Sequence, residues 1–356
     1  DWAIDGPFDK KWDIQYLAIV QDGQERPIEH TARSGGLPWI GEGNYKTTFN
    51  IKKGTKHAQL YFDGAMSEPI VKVNGKEVGR WMYGYNAFRL NITPYIKDGE
   101  NSVEVHLNNL EESSRWYPGA GLYRPVKLIT TNESRIDEWE TYFKTVSANH
   151  QKALLKVDTR IEDSNALKNL TTKVELLDAQ GKQVATGQQK INQQGAASFN
   201  LEVTNPHLWD IDTPYLYTLK TTLLKGKKAI DQTTTKVGIR TIDVSKEYGF
   251  RLNGKSLKFK GVCLHHDLGA LGAALNKTAV IRQIEMMKKM GVNAIRTSHN
   301  MPSQMQMDVC DSLGMMVMAE SFDAWKDLKV KNGYGRIYDE WWRKDLENLI
   351  KGHRNH

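Results

Sequence analysis

The segment most informative about the architecture is Gly291-Val292-Asn293-Ala294-Ile295-Arg296-Thr297-Ser298-His299-Asn300, a short apolar run that ends in polar side chains. It lies between two stretches with apolar residues at helical spacing, 278–290 and 303–313. Extended runs at 257–264 and 315–319 and a third helical stretch at 338–351 continue the alternation. Crossovers of helix length require parallel strands in one sheet, so this region is predicted to form the first part of a (β/α)8 barrel.

The chain before this region has the pattern of two β-sandwiches. Between residues 45 and 131, short alternating runs are separated by Gly, Asn, Asp and Pro. The pair Asn74-Gly75, flanked by alternating apolar residues, predicts a tight β-hairpin. A second β-rich block, from about 135 to 243, has the size and strand spacing of an immunoglobulin-like sandwich that lacks its disulfide.

Composition excludes several classes of protein. At roughly 150 residues per domain, 356 residues make two to three domains, and 39% hydrophobic residues are enough for packed cores. The net charge of +7 is not gathered into the basic stripe that nucleic-acid binding requires, and no phosphate-binding GxxxxGK[ST] or GxGxxG pattern occurs. No stretch approaches the roughly 18 apolar residues of a membrane span. Cys263 and Cys310 are the only cysteines, which excludes a disulfide scaffold and a multi-cysteine zinc site.

Polar clusters follow the three predicted barrel strands. The first strand ends in His265-His266-Asp267, the second in Arg296 to Asn300, and the third in Glu320 to Trp325. Residues at the carboxyl ends of parallel strands face the active-site side of such folds. A neutral polyol needs many directional donors and acceptors together with aromatic faces, and these clusters supply both. The sequence therefore predicts a sugar pocket at this rim.

Other interpretations of the same residues stay open. Arg296 and Glu320 could form an ion pair that only holds the rim of the sheet. Glu320 and Asp323 could be the carboxylate pair of a glycosidase, although both follow a single strand. His265, His266 and Asp267 could ligate a metal, but only alternate residues of a strand share a face. The segment 114–119 could stack on nucleic-acid bases or on sugar rings, and the modest charge favours sugar.

The sequence resembles family 2 of the glycoside hydrolases, which contains β-galactosidases, β-glucuronidases and β-mannosidases. The resemblance rests on Lys260 to Asp267, Gly291 to Asn300 and Asp311 to Glu320, together with Ser114 to Pro125 in the first sandwich. The stretches 265–272 and 296–300 are most similar to bacterial β-galactosidase-like members. This resemblance implies a jelly-roll sugar-binding-type domain at 1–133, an immunoglobulin-like sandwich at 134–243 and the N-terminal part of a TIM-barrel catalytic domain at 244–356.

The resemblance also implies roles for individual residues. His265, Arg296 and His299 fall on positions that line the sugar pocket, and Glu320 on the Glu that ends the third barrel strand; Asp323 and Trp325 are weaker candidates at the rim. Family members commonly have Pro at the position of Met301 and Asp at that of Ala319. Metal-binding members have His where this chain has Phe322, so no metal or other cofactor is expected.

The reactive groups are expected outside this chain. In the family, the acid/base Glu and the nucleophilic Glu both come after the Arg-Asn-His segment that this sequence reaches at Arg354 to His356. The resemblance implies that the parent is a retaining exo-β-glycosidase, and by resemblance alone a β-galactosidase. Residues 1–356 are expected to be inactive by themselves.

Alternatives to that expectation are a β-glucuronidase or β-mannosidase of the same family, or a non-catalytic carbohydrate-binding or scaffold protein. An incomplete barrel also predicts self-association into a homo-oligomer or local disorder around residues 320–338. The N-terminus lacks the layout of a signal peptide, and both ends look trimmed, which leaves the choice between bacterial cytoplasm and periplasm open.

Overall fold

The computed structural model describes residues 16–21, 24–29, 41–162 and 169–356. Its first region is built from nine strands: β1 (Tyr16–Gln21), β2 (Gln24–Glu29), β3 (Glu42–Ile51), β4 (His57–Phe62), β5 (Ile70–Val73), β6 (Lys76–Arg80), β7 (Phe88–Asn91), β8 (Gly99–Asn108) and β9 (Val126–Thr131). Strands β1 and β2 form a hairpin, and the others form two antiparallel sheets in the orders β3-β8-β5-β6 and β7-β4-β9. Alternate residues of both sheets, such as Val71, Leu107 and Phe62, are buried in one core. The predicted sandwich is confirmed.

The predicted hairpin is also present. Strand β5 pairs antiparallel with β6, and Asn74 and Gly75 connect them with φ angles of 49° and 76°. Two positive φ angles in succession define the type I′ turn, whose twist matches that of the flanking strands. Asn tolerates this region better than most residues, and Gly enters it without steric cost.

The second region is the predicted immunoglobulin-like sandwich. Its strands are β10 (Arg135–Ile136), β11 (Tyr142–Ala148), β12 (Lys152–Glu162), β13 (Leu170–Leu177), β14 (Gln183–Lys190), β15 (Ala196–Thr204), β16 (Tyr217–Lys225) and β17 (Lys228–Val237). One sheet has the order β14-β13-β16-β17, and the other joins β10, β11 and β15 to β12. The sequence pattern indicated β12, β13, β15 and β16. It missed β10, β11, β14 and β17; of these, β14 and β17 lie at the edge of their sheet and are largely polar.

The third region contains the parallel sheet that the sequence predicted. After a small antiparallel sheet of β18 (Ile242–Ser245), β19 (Gly249–Leu252) and β20 (Lys255–Ser256), the strands β21 (Gly261–Leu264), β22 (Ala294–Thr297) and β23 (Met316–Met318) pair in parallel. The helices α1 (Lys277–Lys289), α2 (Gln304–Leu313) and α3 (Tyr338–His353) alternate with them. The side chains of Asn276 and Ser303 cap the first turns of α1 and α2, and Gly314 ends α2 with φ 74°.

One predicted strand is shorter than expected. The run at 257–264 was predicted as a single strand, but it is extended in the sheet only over Gly261–Leu264. The residues before Gly261 form hydrogen bonds with the side chain of Asn293 in place of a neighbouring strand. The Asn293 amide nitrogen donates to the Lys258 carbonyl at 3.0 Å, and its oxygen accepts from the Lys260 N–H at 2.8 Å. These bonds hold the chain at the entrance to the strand.

Helix α3 and the segment before it pack on the first sandwich. Trp341 meets Trp81 edge to face at 5.1 Å, and the buried carboxylate of Asp345 accepts hydrogen bonds from Trp81, Asn86 and Tyr334 at 2.6–2.8 Å. Within residues 320–338, the Tyr83 hydroxyl donates to the Ser321 carbonyl at 2.9 Å, and the local disorder predicted for this segment stays a prediction. Self-association and the predicted domain boundaries remain predictions. No helix in the described residues has the length and apolarity needed to cross a bilayer.

Candidate functional site

The predicted site residues stand where the parallel strands end. His265 follows β21, His299 lies just beyond β22, and Glu320 is two residues beyond β23. The buried hydroxyl of Thr297 connects the last two loops, since it accepts from the Glu320 N–H at 3.0 Å and donates to the Asn300 carbonyl at 3.0 Å. A short side chain at the end of β22 therefore fixes how the second and third polar clusters face each other.

Glu320 is the centre of a hydrogen-bonded cluster. Its Oε1 accepts from Nε of Arg296, and its Oε2 lies 3.0 Å from Nδ1 of His299. An ionised carboxylate only accepts, so the bond to Glu320 requires a proton on Nδ1 of His299. Nη1 of Arg296 lies 3.5 Å from the Cys263 sulfur, and the bonds to Cys263 and Glu320 raise the pKa of Arg296 above its ordinary value. The guanidinium is a permanent cation in this site.

His265 joins this cluster through a tryptophan from the first sandwich. The ring of Trp116 stacks on His265, with ring centroids 5.3 Å apart and planes inclined by 20°, and meets His299 edge-on at 5.6 Å. A hydrogen bond fixes the orientation of the Trp116 ring, because its Nε1 donates to the Tyr85 hydroxyl at 3.1 Å. Nδ1 of His265 is buried and has no hydrogen-bond partner among the described residues. A buried ring nitrogen without a partner has unused hydrogen-bonding capacity.

Asp323 lies in a separate ion pair that connects the two domains. Arg115, the neighbour of Trp116, donates to both carboxylate oxygens at 3.0 and 2.5 Å, and Lys329 approaches Oδ1 at 3.2 Å. Burial alone would raise the pKa of Asp323, but the hydrogen bonds and charges of Arg115 and Lys329 outweigh it and lower this pKa. A carboxyl held ionised in this way is poorly suited to be the proton donor of a glycosidase. The pairing of Asp323 with Glu320 as catalytic carboxylates therefore receives no support.

Trp325 does not join the pocket. Its ring is 67% exposed and faces Tyr338, rather than any of the residues around Glu320 that the structure describes. The sequence placed Trp325 at the rim by its distance along the chain from Glu320. The loop instead turns away after Asp323, because Arg115 and Lys329 hold that carboxylate.

Arg115 and Trp116 are the site residues that the sequence did not assign. Their segment was noted for its aromatic and basic character, but nothing local shows that it meets the barrel about 150 residues later. Only the docking of the first sandwich on the parallel sheet places Trp116 on His265.

The metal interpretation of His265 to Asp267 is not supported. Nε2 of His266 lies 3.0 Å from the Pro118 carbonyl in a buried contact, and burial lowers the pKa of this imidazole to about 3. The His265 ring, in contrast, stacks on Trp116. Phe322, which stands where metal-binding members have His, stacks on Tyr334 at 4.2 Å. Across the ranges that the structure covers, no three His, Cys, Asp or Glu side chains are placed to hold a metal together.

Comparisons with known proteins agree on one family. Three models of glycosyl hydrolases family 2 match successive parts of the chain: the sugar-binding domain at residues 10–132, the central family domain at 134–240 and the TIM-barrel domain at 242–348. A β-galactosidase of Bacteroides ovatus is 39% identical over the whole chain, which covers 41% of that protein. A β-glucuronidase of Bacteroides fragilis is 30% identical over 97% of the chain, which covers 54% of it.

Solved structures give the same result. A family 2 member from Bacteroides cellulosilyticus superposes with a TM-score of 0.89 at 34% identity, covering 97% of this chain and 48% of that one. A β-glycosidase from Bacteroides vulgatus superposes with a TM-score of 0.85 at 33% identity, covering 98% of this chain and 47% of that one. The chain thus spans about half the length of these relatives, or less. On the matches of all three of its domains, the chain belongs to family 2 of the glycosyl hydrolases.

Proposed function

We propose that this chain forms the sugar-binding part of a retaining exo-β-glycosidase, with its acid/base and nucleophilic carboxylates supplied by residues after His356. The observation that carries the proposal is the joining of His265, Arg296, His299 and Glu320 with Trp116 in one cluster where two domains meet. The carboxylate, guanidinium and imidazole groups offer directional partners for sugar hydroxyls, and Trp116 offers an aromatic wall.

The charge balance of the pocket favours a neutral sugar. Arg296 is paired with Glu320, and Arg115 with Asp323, so neither guanidinium is available to neutralise a carboxylate on the ligand. A uronic acid would bring an unpaired negative charge to this site, and burying an unpaired charge is costly. Among the activities named for the relatives, the β-galactosidase therefore fits these residues better than the β-glucuronidase.

The test is hydrolysis of a panel of nitrophenyl β-glycosides by the protein that contains this chain together with the residues that follow it. We expect the β-galactoside to be cleaved with the highest kcat/KM and the β-glucuronide with the lowest, and residues 1–356 alone to give background rates. Glu320→Gln removes the charged acceptor of Arg296 and His299, and we expect it to lower kcat/KM by about 100-fold, a size typical of losing one charge-assisted contact in a dry site. Trp116→Ala is expected to raise KM.

The matched control is Asp327→Asn, which neutralises an exposed carboxyl on the same loop without touching the cluster. It should leave the rates unchanged. Hydrolysis that is unaffected by Glu320→Gln would contradict the assignment of the pocket. Absence of cleavage of every glycoside would contradict the proposed activity.

A further inference from the structure

Three aromatic side chains form a surface strip outside the pocket. Trp325 lies near-parallel to Tyr338, with planes inclined by 12° and ring centroids 6.4 Å apart, and Tyr338 lies near-parallel to Trp342 at 14° and 6.2 Å. We name Trp325, Tyr338 and Trp342 the aromatic ladder. Trp325 is 67% and Trp342 38% exposed, whereas isolated aromatic side chains of this size are usually more covered.

The helix α3 and one ion pair position the aromatic side chains of the ladder without covering them. Tyr338 and Trp342 are four residues apart on α3, so they share one face of the helix, while Trp341 on the neighbouring face is buried against the first sandwich. Trp325 comes from the preceding loop, and the ion pair between Lys326 and Asp339, at 2.7 Å, connects the residues next to Trp325 and Tyr338. This exposed ion pair adds little stability, but it limits the motion of the loop against the helix. A surface ordered in advance loses less entropy when it binds.

The chemistry of the surroundings favours an uncharged ligand. Three cations near the ladder are paired with carboxylates: Lys326 with Asp339, Lys329 with Asp323 and Arg343 with Glu347. A fourth, Lys344, lies over the buried face of α3, with its Nζ 4.2 Å from the Trp341 ring centroid. An unpaired cluster of Lys and Arg, which polyanions such as nucleic acids require, is absent from this part of the described chain. Sugar rings present C–H faces to aromatic side chains and hydroxyls to charged neighbours, and this surface has both groups.

The ladder and the proposed pocket share one loop. Trp325 is two residues after Asp323, whose carboxylate is bound to Arg115 next to Trp116. The loop that begins with Glu320 therefore also contains Trp325, the first residue of the ladder. A glycan whose terminal sugar occupies the pocket has further units outside it, and the ladder offers these units an aromatic surface that begins on the same loop.

We propose that the aromatic ladder is a second carbohydrate-binding surface, which holds the units of a neutral β-linked glycan beyond the terminal sugar. This proposal deepens the proposed function in its substrate class, from a small glycoside to an oligosaccharide or polysaccharide. Binding to the ladder itself requires neither the pocket nor the reactive carboxylates, so it is measurable on residues 1–356.

The experiment is affinity gel electrophoresis of residues 1–356 in gels containing soluble β-galactan, β-mannan, mixed-linkage β-glucan or xylan. We expect retardation by at least one of them. Trp325→Ala and Trp342→Ala should each weaken it at least fivefold, and the double variant should abolish it. Trp342→Phe, which keeps an aromatic ring, should restore part of the retention. The control Phe259→Ala removes an exposed aromatic ring elsewhere and should migrate like the unchanged chain.

The outcomes separate this proposal from the proposed function. Glu320→Gln should keep the part of the retention that depends on Trp325 and Trp342, because it alters only the pocket. Retention that depends on Trp325 and Trp342, in a protein that cleaves no nitrophenyl glycoside, would support glycan binding by the ladder and contradict the glycosidase activity. The proposal that the ladder binds glycans would be overturned if no gel retarded the unchanged chain. It would also be overturned if the double variant, with an unchanged thermal midpoint, were retarded as much as the unchanged chain. Salt-dependent retardation by single-stranded DNA in place of glycan would overturn it in favour of nucleic acid.

Discussion

A single buried carboxyl, that of Asp345, connects helix α3 with the first sandwich. It is fully buried and accepts from Trp81 Nε1 at 2.8 Å, Asn86 Nδ2 at 2.6 Å and Tyr334 Oη at 2.6 Å. Burial raises the pKa of Asp345 to about 6, although the three hydrogen bonds oppose this change. The difference from the ordinary value of 3.8 corresponds to about 3 kcal/mol between the two protonation states.

Asp345 is therefore predicted to make stability depend on pH. Because its folded pKa is raised, its contribution to the free energy of unfolding is fully present below about pH 4 and is lost as the pH rises through about 6. Asp345→Asn keeps a neutral group and should remove this dependence, although the variant itself is less stable because an amide cannot accept from all three donors. Urea unfolding at several pH values between 4 and 7.5 measures the difference between the two proteins.

The exposed Asp327→Asn serves as the control for this prediction, since it removes a carboxyl that is not buried. Its stability should follow that of the unchanged chain at each pH. If the profiles of Asp345→Asn and the unchanged chain ran parallel from pH 4 to 7.5, the carboxyl would not titrate in this range. The buried His266, with its pKa lowered to about 3, acts in the opposite direction, because its contribution is lost as the pH falls below about 6.5. Because Asp345→Asn keeps His266, the difference between this variant and the unchanged chain reports on Asp345 alone.

Helix α2 ends against the second sandwich, and a glycine makes this possible. Gly314 has φ 74°, and a methyl group there would clash with the carbonyl oxygen of Ile211. That oxygen cannot withdraw easily, because the ammonium group of Lys288 donates to it at 2.7 Å and to the Leu313 carbonyl at 2.6 Å. Gly75 in the β5–β6 turn has nearly the same φ, 76°, but open space around it.

The two glycines make a matched pair of variants. Gly75→Ala should cost only the conformational penalty of a positive φ, about 1–2 kcal/mol. Gly314→Ala should cost that penalty and in addition the displacement of Ile211, for a total of about 3–5 kcal/mol. Chemical unfolding of both variants measures the difference. Equal losses would show that the contact between α2 and residue 211 contributes nothing beyond the backbone conformation.

These elements also show what could be predicted from the sequence. Apolar periodicity located α1, α2, α3 and the parallel strands to within a few residues, because each buries one face. The edge strands β14 and β17 were missed, since a strand with mostly polar side chains has no alternation to detect. His265, Arg296, His299 and Glu320 were predicted to share one rim because strand ends converge there, and the structure brings them together. Trp116 was not assigned and Trp325 lies apart from these four residues, since both places depend on how two domains dock.

In the whole molecule, the first sandwich and the barrel region are joined by a buried guanidinium. Arg124 is 4% exposed, and it donates to the carbonyls of Asp63 and Tyr85 in the sandwich at 3.2 and 2.8 Å. Its other terminal nitrogen donates to the Met301 carbonyl, between β22 and α2, at 3.0 Å. The Asp63 carboxylate crosses the same interface and accepts from the Gln304 N–H at 3.2 Å. Trp116 reaches His265 across this interface, so the geometry of the pocket depends on the contact between the domains.

Arg124→Lys tests this dependence. An ammonium group cannot reach three carbonyls in the planar arrangement of a guanidinium, and it is more strongly hydrated, so its burial is less favourable. We expect a loss of about 2–4 kcal/mol in the free energy of unfolding and, in calorimetry, a barrel transition that separates from that of the sandwich. The matched control is Arg343→Lys, in which an exposed arginine pairs with Glu347 four residues later and should change stability by less than about 0.5 kcal/mol. The change in tryptophan fluorescence that an added sugar produces should weaken only in Arg124→Lys, because Trp116 and the His265 ring would no longer be held together. A single unshifted transition for this variant would mean that the sandwich and the barrel are held together by contacts other than this guanidinium.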